Sequence, residues 1–281
     1  MPLLLDHVII AVADLQASAA ALGAALGRRP SWRGRHPSYG TANVLFRLEN
    51  AYVELLAPDA GASETAQSQA WTGSLGRFLK ERGEGLFSVA LQTADVSGEV
   101  SRARGRGLAV EEPLPGSGVD LDSGATREWV NARIPPEATR GTRCFFIEHR
   151  SPPSALPPAA PAADTAAAVS KVAAVVALSS EPEGARRMWR EVFGLGEEAA
   201  PDWWRFSLGN AYLLLQAGEC RTAAEGQPDC WEAAVLGVAD LQKAAQRLAG
   251  AGLATARASL GGFEGVATSV CGAKLLFVED K

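Results

Sequence analysis

The chain opens on LLLDHVIIAVADLQASAAALGAALG, residues 3–27, an apolar run broken by Asp6 and His7 and followed by a change of period. Alternation predicts a strand with Leu5, His7 and Ile9 on one face. After Asp14 the apolar residues recur at helical spacing, with the aspartate placed as an N-cap accepting backbone N–H groups. The pattern returns as SVALQTADVSGEVSRA with Asp95 and as AAVLGVADLQKAAQRL with Asp240. A fourth copy, AAVVALSSEPEGARRMW, has Ser180 at the cap and Glu183 three residues on, a capping-box arrangement.

Each strand-to-helix segment is followed by further short strands: NVLFRL and AYVELL, REWVNARI and RCFFIEH, WWRFSL and AYLLLQ, GVATSV and AKLLFVED. The closings repeat in pairs, ENAYVELL beside GNAYLLLQ and CFFIE beside LLFVE. Four βαβββ units follow, an α+β chain with helices outside curved mixed sheets. One unit cannot close a sheet by itself, so the units pair into two cupped half-barrel domains. The stretch SPPSALPPAAPAADTAAAV, with five prolines, predicts an extended connector over residues 151–169. It separates a domain over residues 1–150 (units 1–58 and 84–150) from one over 170–281 (units 170–218 and 229–281). A weaker break falls at GASETAQSQAWTGSLG, before the helical FLKERG.

Composition narrows the class. With 281 residues and 47% hydrophobic content the chain can bury substantial cores. A net charge of −5 with scattered Lys and Arg gives no nucleic-acid footprint. No apolar run approaches the roughly 18 residues of a membrane span, and the N-terminus lacks the basic region of a signal peptide. Cys144, Cys220, Cys230 and Cys271 stand far apart without a CxxC pair, which reads as reduced thiols in a cytoplasmic protein. Monomer and homodimer both stay open, because the units can pair within one polypeptide.

The segment LDHVIIAVADL, the closing strand YVELL and the four-fold repetition across the chain resemble the vicinal oxygen chelate superfamily, the glyoxalase and bleomycin-resistance fold. HPSYGTANVLF, residues 36–46, further resembles its glyoxalase-like domain proteins. The resemblance implies that two units form a cup around a cleft, with metal ligands on the first and last strands of each unit. Counting seven residues back from each cap gives His7, Ser88, Ala173 and Ala233; the closing strands give Glu54, Glu148, Leu214 and Glu279. Only the first unit holds both ligands. His7, Glu54 and Glu148 are then the expected ligands of a divalent metal (Mn, Fe, Ni, Mg or Zn), with Glu279 in place of Glu148 should unit one pair with unit four.

Around that set, His36 is the candidate acid or base, and Asn43 and Thr41 follow it on a hairpin suited to orienting a carbonyl. Tyr52 and Ser88 flank the expected ligands, and Trp129 and Phe146 are candidates for an apolar pocket floor. The resemblance implies a metal-dependent lyase or isomerase acting on a small carbonyl compound. The alternative is a metal-free protein that binds or sequesters a small molecule. A ring-cleaving dioxygenase is disfavoured, since it needs a second histidine.

Overall fold

The computed structural model describes residues 2–59, 61, 66–200, 202–220 and 227–280, with backbone alone over 66–71. Unit one runs β1 (Leu4–Ala11), α1 (Leu15–Leu26), β2 (Trp32–His36), β3 (Thr41–Arg47) and β4 (Tyr52–Pro58). A second helix, α2 (Ala66–Arg82), occupies most of the expected break before FLKERG. Unit two runs β5 (Gly85–Gln92), α3 (Val96–Gly105), β6 (Leu114–Asp120), β7 (Thr126–Ile134) and β8 (Cys144–His149). Asp14 and Asp95 cap their helices as their positions require, Asp14 Oδ1 accepting from the N–H groups of Gln16 and Ala17 and Asp95 Oδ1 from that of Gly98.

Strand order β1-β4-β3-β2-β6-β7-β8-β5 makes the first half a closed barrel rather than the expected half-barrel. Unit one therefore pairs with unit two, through antiparallel β1 and β5 at one seam. The other seam joins β2 to β6 over Gly34↔Asp120 and Arg35↔Val119. Glycine permits that closure: a Cβ on Gly34 would stand 2.1 Å from the Trp32 indole nitrogen and 2.8 Å from the Val119 carbonyl oxygen.

The second half repeats the unit with β9 (Val169–Ser179), α4 (Pro182–Arg187), β10 (Glu197–Ala200), β11 (Trp203–Leu208) and β12 (Ala211–Ala217). It ends in β13 (Asp229–Val238), α5 (Leu241–Gly250), β14 (Ala256–Leu260), β15 (Phe263–Val270) and β16 (Ala273–Glu279). Its sheet runs β10-β11-β12-β9-β13-β16-β15-β14 and stays open. The cap of α4 is Glu181, not Ser180, and its side chain makes no capping bond. Instead Ser179 Oγ accepts from the Glu181 N–H.

The two halves share one apolar core, in which Leu5, Val8 and Ile10 meet Val172, Leu208 and Trp231. The repeated Asn-Ala-Tyr motif seals it. Asn50 bonds both backbone groups of Val172, while Asn210 bonds both backbone groups of Leu5. Each amide also donates to the other asparagine's carbonyl oxygen. The proline-rich segment lies along the first barrel, with Arg28 donating to the carbonyls of Ala159 and Val169 and Arg47 to those of Pro153 and Leu156.

Two of the four cysteines depart from the reduced reading. Cys220 and Cys230 are joined by a disulfide, with Cα atoms 5.8 Å apart. The sheet creates the proximity, because β13 places Cys230 opposite Leu178 and the chain leaving β12 brings Cys220 to the Leu178 carbonyl. Cys144 and Cys271 are free. Among the described residues no helix is long and apolar enough to cross a membrane.

Candidate active site

The cleft lies inside the closed barrel. His7, Glu54, His36, Thr41, Asn43, Tyr52 and Trp129, all singled out from sequence, line it together. Their convergence follows from strand parity. Residues 7 and 9 of β1, 41, 43 and 45 of β3, 52, 54 and 56 of β4 and 127, 129 and 131 of β7 face inward. Leu5 does not share that face. A bulge between Leu5 and His7 makes Asp6 an extra residue, which turns Leu5 into the outer core.

A chain of hydrogen bonds links the polar groups and contains every histidine of the sequence. His149 Nε2 meets Asp6 Oδ1 at 2.8 Å, and Asp6 Oδ2 meets His7 Nδ1 at 2.6 Å. His7 Nε2 lies 3.2 Å from Glu54 Oε2. The Asn43 amide donates to Glu54 Oε1 at 2.8 Å and to His36 Nε2 at 3.1 Å. His36 Nε2 is thereby the acceptor, so Nδ1 carries the proton and donates to Thr41 Oγ1 at 2.9 Å.

The ionisation states follow from these contacts. Burial alone lowers the His7 pKa, but its hydrogen bonds to Asp6 and Glu54 and the charges of both more than reverse this, to about 9. Its ring is therefore an imidazolium at neutral pH. Burial raises the carboxylates, yet the charge and hydrogen bond of His149, with those of His7, hold Asp6 well below the usual carboxylate range. Glu54 is lowered in the same sense by the hydrogen bond and charge of His7 and the hydrogen bond of Asn43. His36 is depressed by burial and stays neutral. Burial and the charge of Asp6 push the Tyr52 phenol well above its ordinary value. Tyr52 also stacks on His7, ring centroids 4.3 Å apart.

Three sequence candidates fall elsewhere. Glu148 is turned outward by the parity of β8; its carboxylate accepts from the Val96 N–H at the start of α3 and pairs with Arg150. Phe146 packs in the outer core, and Phe145 is the ring that reaches the cleft. Ser88 donates to the Arg143 carbonyl and lines a separate small cavity beside α2. Register explains these shifts. His7 sits beside Tyr52 in β4, as Ala90 sits beside Phe145 in β8, so the counterpart of Glu54 in unit two is Ile147. The same comparison gives Ala174 and Leu214 in unit three, where counting from Ser180 pointed to Ala173, and Val235 and Val278 in unit four. Glu279 is exposed.

These residues do not fit a metal centre. His7 Nε2 and Glu54 are two donors on neighbouring strands, fewer than the three protein ligands of an open catalytic metal site. Unit two supplies Ala90, Phe145 and Ile147 where further ligands would stand. Among the described residues no group of three His, Cys, Asp or Glu is arranged to hold an ion.

Sequence reasoning missed Asp6, His149, Arg127, Tyr39 and Asn131. Arg127 and Asn131 were legible as the inward neighbours of Trp129 in REWVNARI. Asp6 was hidden by the bulge. Asn131 donates to the Tyr39 hydroxyl at 3.1 Å, bridging β7 to the turn after β2.

A family model described as glyoxalase-like domain matches residues 5–193. No curated protein matches the chain. A hypothetical protein from Staphylococcus aureus is similar over 99% of this chain and 100% of its own, with 15% identity and a TM-score of 0.69. The Mn(II)-bound glyoxalase from Novosphingobium aromaticivorans covers 99% of this chain and 82% of its own at 13% identity and a TM-score of 0.63. A methylmalonyl-CoA epimerase from Streptomyces coelicolor, in complex with 2-nitronate-propionyl-CoA, covers 54% of this chain and 100% of its own at 22% identity and a TM-score of 0.42.

Proposed function

The chain belongs to the glyoxalase-like domain family of the vicinal oxygen chelate superfamily, and on that premise we propose that its first barrel moves a proton on a small carbonyl compound without a metal. The observation that carries this reading is the His7–Glu54 pair, an imidazolium and a carboxylate buried together in the wall of the cleft. Their 3.2 Å separation exceeds the roughly 2.7–2.9 Å of a tight charge-assisted hydrogen bond, so a ligand oxygen can part them at modest cost.

In this reading the substrate carbonyl oxygen takes the Nε2–H of His7 in place of Glu54. Released from that bond, the carboxylate is a stronger base and takes the proton from the carbon next to the carbonyl. The C–H electrons become the new C=C bond, the carbonyl π pair moves to oxygen, and the His7 proton neutralises it as an enol. Return of the proton to carbon gives the starting compound, its mirror form or the isomeric carbonyl. Asp6 holds the imidazolium in place from behind, and Asn43 fixes the carboxylate.

The test is hydrogen–deuterium exchange in D2O of the C–H next to the carbonyl, followed by proton NMR over a panel of small ketones, aldehydes and 2-oxo acids. Wild-type protein is expected to accelerate exchange on at least one compound, and Glu54→Gln to reduce it by about a hundredfold or more. No acceleration by the wild type, or full activity in Glu54→Gln, overturns the reading. Elemental analysis after incubation with Mn, Ni, Fe and Zn tests the metal-free part. Retention of one ion by wild type and its loss in His7→Ala would restore the metal-dependent alternative. Binding of panel compounds without exchange would favour a sequestering protein, the reading that the aromatic lining of Trp32, Tyr52 and Trp129 also suits.

A further inference from the structure

Arg127 stands at the boundary between the cleft and a second, roomier cavity, and its side chain lines both. Among the described residues only Tyr52 shares that position with it. The residue is 8% exposed, and its guanidinium carbon lies 5.7 Å from the ring centroid of Trp32 and 5.8 Å from that of Tyr52. Among the described residues no carboxylate pairs with this guanidinium and no hydrogen bond reaches it.

Arg143 is similarly placed, against the rings of Phe78 and Phe87 with its Nε unpaired, but it lines the separate small cavity beside α2, whereas several other arginines are paired. Arg140 reaches Asp229 and Glu181, Arg104 reaches Glu112 and the Val110 carbonyl, and Arg28 reaches two carbonyls. A guanidinium with five donors, no carboxylate beside it and aromatic faces for company is open to an acceptor that arrives from outside. Both rings contact the guanidinium by cation–π interaction, and its donor fork matches a planar carboxylate, which arginine grips through two bonds.

A second unsatisfied group lies in the same cleft. The Oδ1 atom of Asn43 is buried without a hydrogen-bond partner, while its Nδ2 is engaged by Glu54 and His36. A ligand completing this site therefore brings an anionic acceptor for Arg127 and a hydroxyl donor for Asn43. The free volume of the cleft, about 50 Å³, restricts that ligand to a few heavy atoms unless the walls move. Arg127 and His7 both line the cleft and both contact the ring of Tyr52.

We propose that Arg127 is the seat of a substrate carboxylate, and that the ligand of this cleft is a small 2-oxo or 2-hydroxy carboxylic acid. The carboxylate rests on Arg127, and the oxygen on the neighbouring carbon takes the Nε2–H of His7 and, as the hydroxyl of a 2-hydroxy acid or of the enol of a 2-oxo acid, donates to Asn43 Oδ1. The placement of that second oxygen rests on the proton-transfer reading above; the seat at Arg127 does not.

The experiment compares pyruvate and lactate with their uncharged methyl esters by NMR titration and thermal shift. The wild type is expected to bind the acids at least roughly tenfold more tightly than the esters, and to be raised in Tm by the acids alone. Arg127→Met keeps an unbranched side chain over Trp32 and Tyr52 and removes the charge; it should lose the preference for acid while its affinity for the ester is unchanged. Arg127→Lys, a point charge without the fork, should fall between. The proposal is overturned if the wild type binds neither acid or shows no preference, or if Arg127→Met keeps one. Should Arg127→Met not fold, Arg127→Lys and the wild-type acid and ester thermal shifts decide the matter without it. Acid preference that depends on Arg127, with no deuterium exchange, keeps the carboxylate seat and discards the proton-transfer reading. Exchange on ketones with no acid preference does the reverse.

Discussion

Two halves of this chain are built from the same βαβββ unit and use their interiors in opposite ways. In the first, β2 and β6 meet and the barrel encloses His7, Glu54, Asn43 and His36. In the second, β10 and β14 stay apart, and the inner face carries Ala174, Val176, Leu214, Ala233 and Leu276. The backbone registers of the central strands match, Tyr52 beside His7 and Tyr212 beside Ala174, so at these positions the contrast lies in the side chains. A buried carboxylate needs a cation and donors around it, and at these inward positions the first barrel supplies them where the second half has apolar side chains. The second half spends the same positions on packing, and through Asn210 it holds the backbone of β1 in place.

The most severe way to break the comparison is to put the first half's carboxylate into the second. Leu214→Glu would bury an acid among apolar side chains with no counter-ion. It should cost about 4 kcal/mol at pH 7 in urea unfolding. Its folded pKa would be raised, so the unfolded state loses its proton first and stability should fall as pH rises past about 4.3. Little loss, or a loss independent of pH, would mean that the second half contains a polar site of its own.

The reverse change converts the first half toward the second. His7→Ala leaves the buried Glu54 without a cation and Asp6 with His149 alone, and should cost about 3 kcal/mol at pH 7. Adding Glu54→Leu reproduces the Ala174 and Leu214 pair and should recover most of that loss. Equal stability of the single and double variants would show that the pair is not coupled. A pH series reads the same pair without mutation. The folded pKa of His7 is raised to about 9 from its ordinary 6.5. Its stabilisation is therefore complete below pH 6.5 and disappears as pH climbs through 9, a loss on the order of 3 kcal/mol that His7→Ala should not show. Among the imidazole proton resonances one should titrate near 9 and that of His36 below 6.5, since burial depresses it.

How much of this was legible in the sequence depended on what each residue obeys. The four helix starts and the closing strands were readable because period and capping are local, and Asp14, Asp95 and Asp240 cap as their spacing dictates. His7, Glu54, Asn43 and Trp129 were placed together because strand alternation held around them. Parity failed where strands are irregular or where units were matched by motif. The bulge at Asp6 moved Leu5 away from the cleft and brought Asp6 behind His7. Matching CFFIEH to YVELL by its glutamate selected Glu148, whereas the β5 register selects Ile147. The pairing of Cys220 with Cys230 and the two-residue seam of β2 with β6 depend on long-range placement that no local pattern encodes.

The smallest expected effect concerns the motif that the halves still share. Asn50→Ala and Asn210→Ala should each cost about 2 kcal/mol, since each leaves one residue's backbone N–H and C=O without partners at the buried seam. The double variant should cost about the sum of the two, because each amide donates to the other residue's main-chain carbonyl, which alanine keeps, so the single variants remove different bonds. The pair should differ in one respect. Asn210 holds Leu5, which precedes the bulge that aims Asp6 at His7, while Asn50 holds Val172 on a strand with no titrating core. Asn210→Ala should therefore also lower the His7 pKa, measured on the imidazole resonance, and Asn50→Ala should leave it nearly unmoved. An equal shift in both variants would mean that the seam acts on the site as one rigid piece, and that the second half supports the cleft as a whole rather than through the single strand it grips.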